Sequence, residues 1–326
     1  MNCIKKLSLT MAAVGLCAFS MASQAEWKGW NIHVQGYPNT VAMDNFADLI
    51  KEKSDGKLTL KNFHNGVLGS QPDAIEQLRI GGLQVASFSL GPIGPIVPEA
   101  NVLSLPFIFK DPEHMFRVMD GEGGKIINEA MKKKGIVLLG VYDAGARSFY
   151  NGTKAIEKPE DVKGMKIRVM NNDLYSGMIS ALGGNPSPMA FSEVYQSLKT
   201  KVVDGAENNF PSYESTAHNE VAQFYSLSQH LIIPECLCMN TAVYEALSDE
   251  EKKIVHEAAE ESTALQRAEW AKRDVASRES VEANGVKVNT IADKSGFQEA
   301  MKPVYATYLE ANPDLKPLVE LIQNTP

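Results

Sequence analysis

The fold is decided between Lys158 and Asn209, where the chain reads KPEDVKGMKIRVMNNDLYSGMISALGGNPSPMAFSEVYQSLKTKVVDGAENN. A helix-starting Pro-Glu-Asp and the turn residue Gly164 precede a strand-like run, and an apolar helical segment follows from Leu174 to Leu182. This order predicts an α/β unit, and open α/β sheets bind ligands beyond the ends of their strands. Arg168 is the only charge in the run 167–170. A guanidinium that points inward needs an anion, whereas one at a strand end can also face water.

The N-terminus has the three parts of a secretory signal peptide. Lys5 and Lys6 form a basic region, Leu7–Phe19 is apolar, and Ser23-Gln24-Ala25 offers small residues for cleavage. We therefore predict a signal peptide at 1–25, cleaved after Ala25. No later run of about twenty apolar residues follows, so an exported, soluble protein is expected.

The length and charge of the chain narrow its class. A chain of 326 residues exceeds what one hydrophobic core usually holds, so two domains are expected. Its formal net charge is −8, which argues against nucleic acid or an anionic membrane as partner. Cys236 and Cys238 stand two residues apart in an apolar segment, where we expect buried thiols and neither a disulfide nor a metal site.

Strand-like and helix-like segments alternate along the chain, which predicts a wound α/β sheet. The segment Gly91–Pro95 is expected to be irregular, since its prolines lack a backbone donor. A second alternating unit covers Lys166–Ala206. The predicted strands are Trp30–Val34, Leu58–Phe63, Leu83–Leu90, Ile136–Tyr142 and Leu231–Met239, and the predicted helices are Val41–Ser54, Asp73–Arg79 and His114–Lys134.

The last third of the chain begins with a helix-capping pattern. Ser248 is followed three residues later by Glu251, which is a capping box. No proline or glycine interrupts the sequence from there to about Ala283. An unbroken helix of this extent would be roughly 50 Å long. It would therefore span two domains.

Several motifs, in order, resemble the solute-binding proteins of tripartite ATP-independent periplasmic (TRAP) transporters. They are Leu105-Pro106-Phe107, Gly145-Ala146-Arg147, DVKGMKIRV at 161–169, PMAFSEVY at 188–195 and VDGAEN at 203–208. The resemblance implies an α/β, two-domain periplasmic binding protein with a central ligand cleft and a long helix spanning both domains. The implied domains are 26–145 with 234–273, and 146–233 with 274–326, with the helix at about 248–283 shared.

The resemblance also implies roles for individual residues. Arg168 matches the arginine that forms a bidentate salt bridge to the ligand carboxylate, a geometry that lysine could not reproduce. Arg147 matches a second arginine that faces the ligand in part of the family. Asn208 and Asn171 match positions that hydrogen-bond the ligand, and Phe191 matches a ring that packs on it. Asn208 as a turn residue and Phe191 as plain core remain the alternatives.

The identity of the ligand depends on residues outside that motif. The stretches 142–151 and 204–215 resemble members that bind hexuronates, and Glu235 is the single charge within Leu231–Met239. A buried carboxylate beside an anionic ligand is tolerable when it accepts hydrogen bonds from hydroxyl groups, which a sugar acid has and a simple dicarboxylate lacks. His33, Gln71 and Ser89 are also expected in the cleft, His33 having a core position as its alternative. Tyr37, Glu207 and Tyr213 are expected to support these residues.

The sequence therefore predicts a periplasmic receptor that binds D-glucuronate, D-galacturonate or a similar hexuronate and delivers it to TRAP permease subunits. A C4-dicarboxylate or another organic acid is the alternative ligand. A secreted uronate-processing enzyme is the alternative class, with Glu207 and Glu235 as its acid/base pair. No HExxH, GxSxG or Walker A pattern and no zinc-like histidine spacing occurs. We expect no catalytic residues, no cofactor, no metal and a monomer.

Overall fold

The computed structural model describes residues 26–326, so the signal peptide predicted at 1–25 lies outside the described residues. The strands within this range are β1 Trp27–Asn31, β2 Leu60–Phe63, β3 Val85–Ser89, β4 Ile136–Tyr142, β5 Ala146–Asn151, β6 Lys166–Val169, β7 Asn185–Pro188, β8 Gly205–Asn208, β9 Phe224–Ile232, β10 Glu235–Asn240 and β11 Lys287–Thr290. The helices are α1 Pro38–Lys53, α2 Gln71–Arg79, α3 Pro98–Asn101, α4 Pro112–Met119, α5 Glu122–Lys132, α6 Asp173–Ala181, α7 Val194–Lys199, α8 Phe210–Ser215, α9 His218–Val221, α10 Thr241–Glu245, α11 Asp249–Ala283, α12 Ser295–Ala311 and α13 Lys316–Asn324.

The strands form two separate sheets. The first sheet has five strands in the order β2-β1-β3-β10-β4, and the second has six in the order β11-β9-β5-β8-β6-β7. In the first sheet β1, β2 and β3 are parallel, and β10 lies antiparallel between β3 and β4. In the second sheet β6 is parallel to both β7 and β8. The alternating pattern of the sequence thus predicted the α/β class correctly.

The helix α11 packs alongside both sheets. Its 35 residues match the prediction, and the Ser248 side chain accepts from the Glu251 amide as a capping box requires. It packs against α1, against β4 of the first sheet, and against α8, which follows β8 of the second sheet. Trp270, near its middle, is 3% exposed and clusters with Tyr37 and Ala144. The helix therefore spans both halves of the molecule.

The chain crosses between the sheets twice more, and one of these crossings corrects the sequence analysis. Residues 143–145 join β4 to β5, and Ile233 and Pro234 join β9 to β10. The single strand predicted at Leu231–Met239 is wrong, since its two parts belong to different sheets. Both parts are buried, and Glu235 is the single charged residue among them, so hydrophobic patterning alone does not show where one strand ends and the next begins. Pro234 fits the junction because it cannot donate to either ladder.

Two smaller predictions also differ from the structure. The helix predicted at His114–Lys134 is two helices, α4 and α5, with Gly121 as the N-cap of the second. The first strand ends at Asn31, short of the predicted Val34, because the Asn31 side chain accepts from the His33 amide and turns the chain. Cys236 and Cys238 are buried free thiols, as predicted. Among the helices of 26–326, none is long and apolar enough to cross a membrane.

Candidate ligand-binding site

Strand ends of both sheets meet at one cavity. In the first sheet β3 ends where the antiparallel β10 begins, because Ser89 pairs with Glu235. In the second sheet β6 and β8 run side by side, with Arg168 paired to Ala206. The cavity between these edges contains about 520 Å³ of empty space, including its opening to solvent. Every residue predicted to bind ligand lines it: Arg168, Arg147, Asn208, Glu235, Asn171, Phe191, Gln71, Ser89 and His33.

Arg168 is a buried cation with no ion-pair partner among residues 26–326. It is 2% exposed, and its Nε and Nη2 both donate to the Met189 carbonyl, at 3.2 and 2.9 Å. Within residues 26–326 this carbonyl is its only hydrogen-bond partner. A guanidinium has five N–H groups, so three stay available to another acceptor. Burial lowers the pKa of Arg168 to about 10, although Glu207 and Tyr150 oppose this effect. An anion in the cavity would therefore stabilise the site.

Arg147 is equally buried but is neutralised by the protein. Its Nε and Nη2 donate to the two carboxylate oxygens of Glu207 at 2.6 and 2.8 Å, and Nη2 also donates to the Glu207 carbonyl. Nη1 donates to Oδ1 of Asn208 at 2.8 Å. Burial alone would lower the pKa of Arg147, but the Glu207 carboxylate raises it above its ordinary value. Because most of its N–H groups are occupied, Arg147 can offer a ligand only one.

Asn208 is held in a fixed orientation at the end of β8. Its Oδ1 accepts from Arg147 and from the amide of Asn209 at 2.9 Å, so the other side of the amide group is Nδ2. Its carbonyl accepts from the hydroxyl of Tyr225 at 2.7 Å. Nδ2 has no hydrogen-bond partner among the described residues and can donate to a ligand. The ion pair of Arg147 thus orients a donor in the cavity wall.

Glu235 lies on the opposite side of the cavity, at the start of β10. It is 6% exposed and accepts from Nε2 of His33 at 3.0 Å and from Nδ2 of Asn39 at 2.6 Å. The His33 ring is stacked on Tyr37 with 3.8 Å between centroids, which fixes its position. The two oxygens of a carboxylate can together accept about four hydrogen bonds. Glu235 therefore has room to accept from hydroxyl groups of a ligand.

Apolar side chains close the remaining walls. Phe191 is half-buried, with its ring centroid 6.2 Å from that of His33 and the Arg168 guanidinium 5.9 Å away. It is therefore a cavity wall and not plain core. The other apolar lining residues are Ile32, Pro72, Pro92, Met170, Met189 and Ala190. Such a lining suits the carbon face of a small polar molecule.

The other predicted residues contribute less. Gln71 donates from Nε2 to the Ser89 carbonyl at 3.0 Å, which leaves its Oε1 as an acceptor. Ser89 is buried at the end of β3. Asn171 lies at the rim and is exposed, and it forms no side-chain hydrogen bond within residues 26–326. Its neighbour Asn172 is buried instead and donates to the Gly91 carbonyl across the cleft at 2.8 Å.

Three residues differ from their expected importance. Ser212 lines the cavity and hydrogen-bonds Tyr37 across the cleft at 3.0 Å, although it was not singled out within the stretch 204–215. Glu207, expected only as support, is the fully buried partner of Arg147. Tyr213, also expected as support, is not a lining residue, since its hydroxyl donates to the Ala222 carbonyl behind the second sheet.

A buried histidine lies near each arginine. Burial and Arg147 lower the pKa of His230 to about 3. Burial and Arg168 lower the pKa of His218 to about 3. The His218 Nδ1 lies 2.8 Å from the Tyr150 hydroxyl. Both imidazoles are therefore neutral near pH 7, and neither adds positive charge to the site.

The protein family and the solved structures that match this chain describe the same kind of protein. Residues 31–312 match the bacterial extracellular solute-binding proteins, family 7. The crystal structure of a TRAP periplasmic solute-binding protein from Roseobacter denitrificans, with bound β-D-glucuronate, is 69% identical, with a TM-score of 0.92 over 92% of this chain and 100% of that one. A second such protein, from Sulfitobacter sp. NAS-14.1 with bound β-D-galacturonate, is 58% identical, with a TM-score of 0.91 over 92% and 99%.

A comparison of sequences alone gives the same result. A solute-binding protein from Chromohalobacter salexigens is 50% identical over 323 residues, which is 99% of this chain and 96% of the relative. The two α/β halves, the cleft between them and the long shared helix agree with these matches. The chain belongs to family 7 of the bacterial extracellular solute-binding proteins, and it is a TRAP solute receptor.

Proposed function

We propose that this receptor binds a hexuronate, such as D-glucuronate or D-galacturonate, in the cavity between its sheets. The observation that carries the proposal is that the two walls of the cavity carry opposite charges. Arg168 on one wall is a cation without a counter-ion among residues 26–326, and Glu235 on the other wall is a carboxylate acceptor. The first suits a ligand carboxylate and the second suits ligand hydroxyls. The similar proteins from Roseobacter denitrificans and Sulfitobacter sp. were crystallised with glucuronate and galacturonate.

The lining residues divide between the two ends of such a ligand. Arg168 forms a bidentate pair with the carboxylate, assisted by the remaining N–H of Arg147 and by Nδ2 of Asn208. Glu235 accepts from sugar hydroxyls at the other end. Phe191 packs on the ring. Gln71, Ser89 and His33 complete the hydroxyl end, and Asn171 reaches the ligand from the rim.

A C4-dicarboxylate is the second candidate, and the charge of Glu235 argues against it. A dicarboxylate long enough to reach from Arg168 across the cavity would bring its second carboxylate toward Glu235. Two carboxylates without a proton or a cation between them repel each other in a buried site. A sugar acid presents hydroxyl donors at the same place.

We also propose that the protein captures its ligand and does not transform it. Glu207 and Glu235 were the conceivable acid/base pair of a uronate-processing enzyme. Glu207 is fully buried and bound through both oxygens to Arg147, so it is poorly placed to exchange a proton with a ligand. The family and its solved neighbours are solute-binding receptors.

The family supports a proposal about the cellular setting. We propose a periplasmic, monomeric receptor whose partner is the TRAP permease in the membrane. Two domains, 26–145 with 234–273 and 146–233 with 274–326, would close on the ligand about the three connections between the sheets. The C-terminal helix α13 contacts α5, so the last residues of the chain reach back from the second part to the first.

Isothermal titration of refolded protein tests the proposal, because refolding removes any ligand retained during purification. We expect D-glucuronate or D-galacturonate to bind, and succinate and malate to bind much more weakly. D-glucose and glucuronamide are matched controls, since they keep the ring and lack the anionic charge. Stronger binding of succinate than of either uronate would overturn the hexuronate assignment and would leave the receptor assignment intact.

A further inference from the structure

The connection between β4 and β5 is held by the long helix. Gln266 of α11 is fully buried and contacts the backbone of Asp143 on both sides. Its Oε1 accepts from the Asp143 amide at 2.7 Å, and its Nε2 donates to the Asp143 carbonyl at 2.9 Å. A backbone N–H can only donate and a carbonyl can only accept, so the orientation of the Gln266 amide is determined.

This orientation passes to the next side chain. The Nε2 of Gln266 also donates to Oδ1 of Asn39 at 2.9 Å. Asn39 lies in the first turn of α1 and is fully buried. Because its oxygen faces Gln266, its Nδ2 faces the site, where it donates to Oε2 of Glu235 at 2.6 Å. A continuous chain of hydrogen bonds with fixed polarity therefore links the inter-sheet connection to the carboxylate in the cavity.

Burial makes the polarity of this chain costly to reverse. Asn39 and Gln266 are 0% exposed, and Glu235 is 6% exposed. If a buried donor faces another donor, or a buried acceptor another acceptor, a hydrogen bond is lost and water cannot replace it. Charged and titratable groups near Glu235 and the chain that orients it come from both halves of the molecule and include His33, Tyr37, Tyr142, Asp143, Arg147 and Arg168. Burial raises the pKa of Asp143 to about 6, so the variants are compared with wild type at each pH.

We propose that Asn39 and Gln266 are positioning residues that keep Glu235 an acceptor for the hydroxyl end of the ligand and couple it to residues 143–145. The backbone of Asp143 orients Gln266, Gln266 orients Asn39, and Asn39 presents only a donor to Glu235. This inference rests on the hexuronate site proposed above. It assigns specificity to two side chains that do not line the cavity.

The variant Asn39→Asp tests the step next to the site. It keeps the shape of Asn39 but places an oxygen where Nδ2 meets Glu235, so the two carboxylates must share a proton. At pH 8 we expect hexuronate affinity about tenfold or more below wild type, from the lost hydrogen bond and the added repulsion. The loss should shrink as the pH is lowered to 5. A purely structural defect would not follow pH in this way.

The variant Gln266→Glu tests the remote step. Its second oxygen faces the Asp143 carbonyl and the oxygen of Asn39. Protonation of the introduced acid would supply a donor to only one of these two acceptors, and otherwise Asn39 must turn its amide, which places its oxygen against Glu235. We expect weaker hexuronate binding although the altered residue does not line the cavity. Ser262→Ala is the matched control, since Ser262 is buried one turn earlier on α11 and, within the described chain, its side chain bonds only to Tyr142 and the Ala42 carbonyl.

A ligand-free measurement separates this inference from the proposed function. In Asn39→Asp, the proton shared between Glu235 and the introduced carboxylate raises the pKa of this pair in the folded state. The free energy of unfolding of the variant should therefore fall, relative to wild type, as pH rises from 5 to 8. This holds even if wild type binds no uronate, an outcome that would overturn only the proposed function. Variants with wild-type affinity and wild-type pH profiles, or losses like that of Ser262→Ala at every pH, would overturn the positioning roles.

Discussion

The strands β5 and β6 each bring a buried arginine to the same cavity, and the two arginines have opposite surroundings. Arg147 of β5 is bound through both oxygens of Glu207, whereas Arg168 of β6 has only a carbonyl as partner in the described chain. Burial is the same within a few per cent, at 5% and 2% exposed. The pKa of Arg147 is raised by its partner, and that of Arg168 is lowered to about 10.

This difference distinguishes an arginine that stabilises the fold from an arginine that binds a ligand. A buried cation matched by the protein belongs to the structure, and its removal leaves an unpaired carboxylate. A buried cation that the protein leaves unmatched is costly unless something else supplies the anion. On this view Arg147 maintains the wall and orients Asn208, and Arg168 holds the ligand.

The largest effect should follow from breaking the matched pair. Arg147→Met leaves Glu207 buried without a counter-charge, so we expect the free energy of unfolding to fall by about 3–5 kcal/mol. Chemical denaturation of ligand-free protein measures this. The double variant with Glu207→Gln should recover part of the loss. An Arg147→Met protein as stable as wild type would remove the structural role of the pair.

The unmatched arginine should show the reverse behaviour. Arg168→Met removes the anchor of the carboxylate, and we expect hexuronate affinity to fall by about 2–5 kcal/mol, with little loss of ligand-free stability. Arg168→Lys keeps the charge and loses the bidentate geometry, so it should rescue only part of the affinity. Titration calorimetry and denaturation of the same samples give both numbers. Near-wild-type affinity in Arg168→Met would contradict the anchoring role.

A third variant decides which wall the ligand carboxylate faces. Glu235→Gln removes the charge that accepts hydroxyl donors, so hexuronate binding should weaken by about 1.5–3 kcal/mol, the range for hydrogen bonds to charged groups. Succinate binding should be unchanged or stronger, since a repulsion is removed. Equal losses for both ligands would place Glu235 outside the recognition of hydroxyls.

The histidine beside each arginine should affect the pH dependence of stability. His218 and His230 have pKa values lowered to about 3 in the folded protein. Their stabilising contribution is complete above the unfolded value of about 6.5 and is lost as pH falls toward 3, by about 1.4 kcal/mol per pH unit for each histidine. His218→Gln and His230→Gln should each reduce the slope of unfolding free energy between pH 6.5 and 4.5. An unchanged slope in both would show that these histidines titrate normally.

Local signals in the sequence predicted much of the fold. The capping box at Ser248 and the absence of glycine and proline set the limits of α11, and the alternating units located most strands. The strand predicted at Leu231–Met239 failed because hydrophobic patterning cannot show that one apolar run serves two sheets. That change of sheet is a property of the tertiary fold.

The sequence predicted many of the residues of the site but not the contacts between them. The family motifs pointed to Arg168, Arg147 and Phe191, which line the cavity, but not to Ser212, which lines it too. The motifs could not show that Glu207 neutralises Arg147, since the two are separated by 60 positions and meet only through the pairing of β5 with β8. Asn39 and Gln266 gave no signal at all, because a buried amide in a helix looks like any polar residue until its partners are known.

The central position of β10 in the first sheet determines when that sheet can form during synthesis of the chain. β3 and β4 do not touch each other; each pairs with β10, which starts at Glu235. A growing chain must therefore produce β5 to β9 before the first sheet can be joined at its centre, and contacts this distant in sequence form slowly. We expect the strands β5 to β9 of the second sheet to pair before the first sheet is completed, and its edge strand β11, which follows β10 in the chain, to join last. Glu235 of the binding site is synthesised with the strand that completes the first sheet, so a piece of the chain that ends before Glu235 lacks part of the pocket lining.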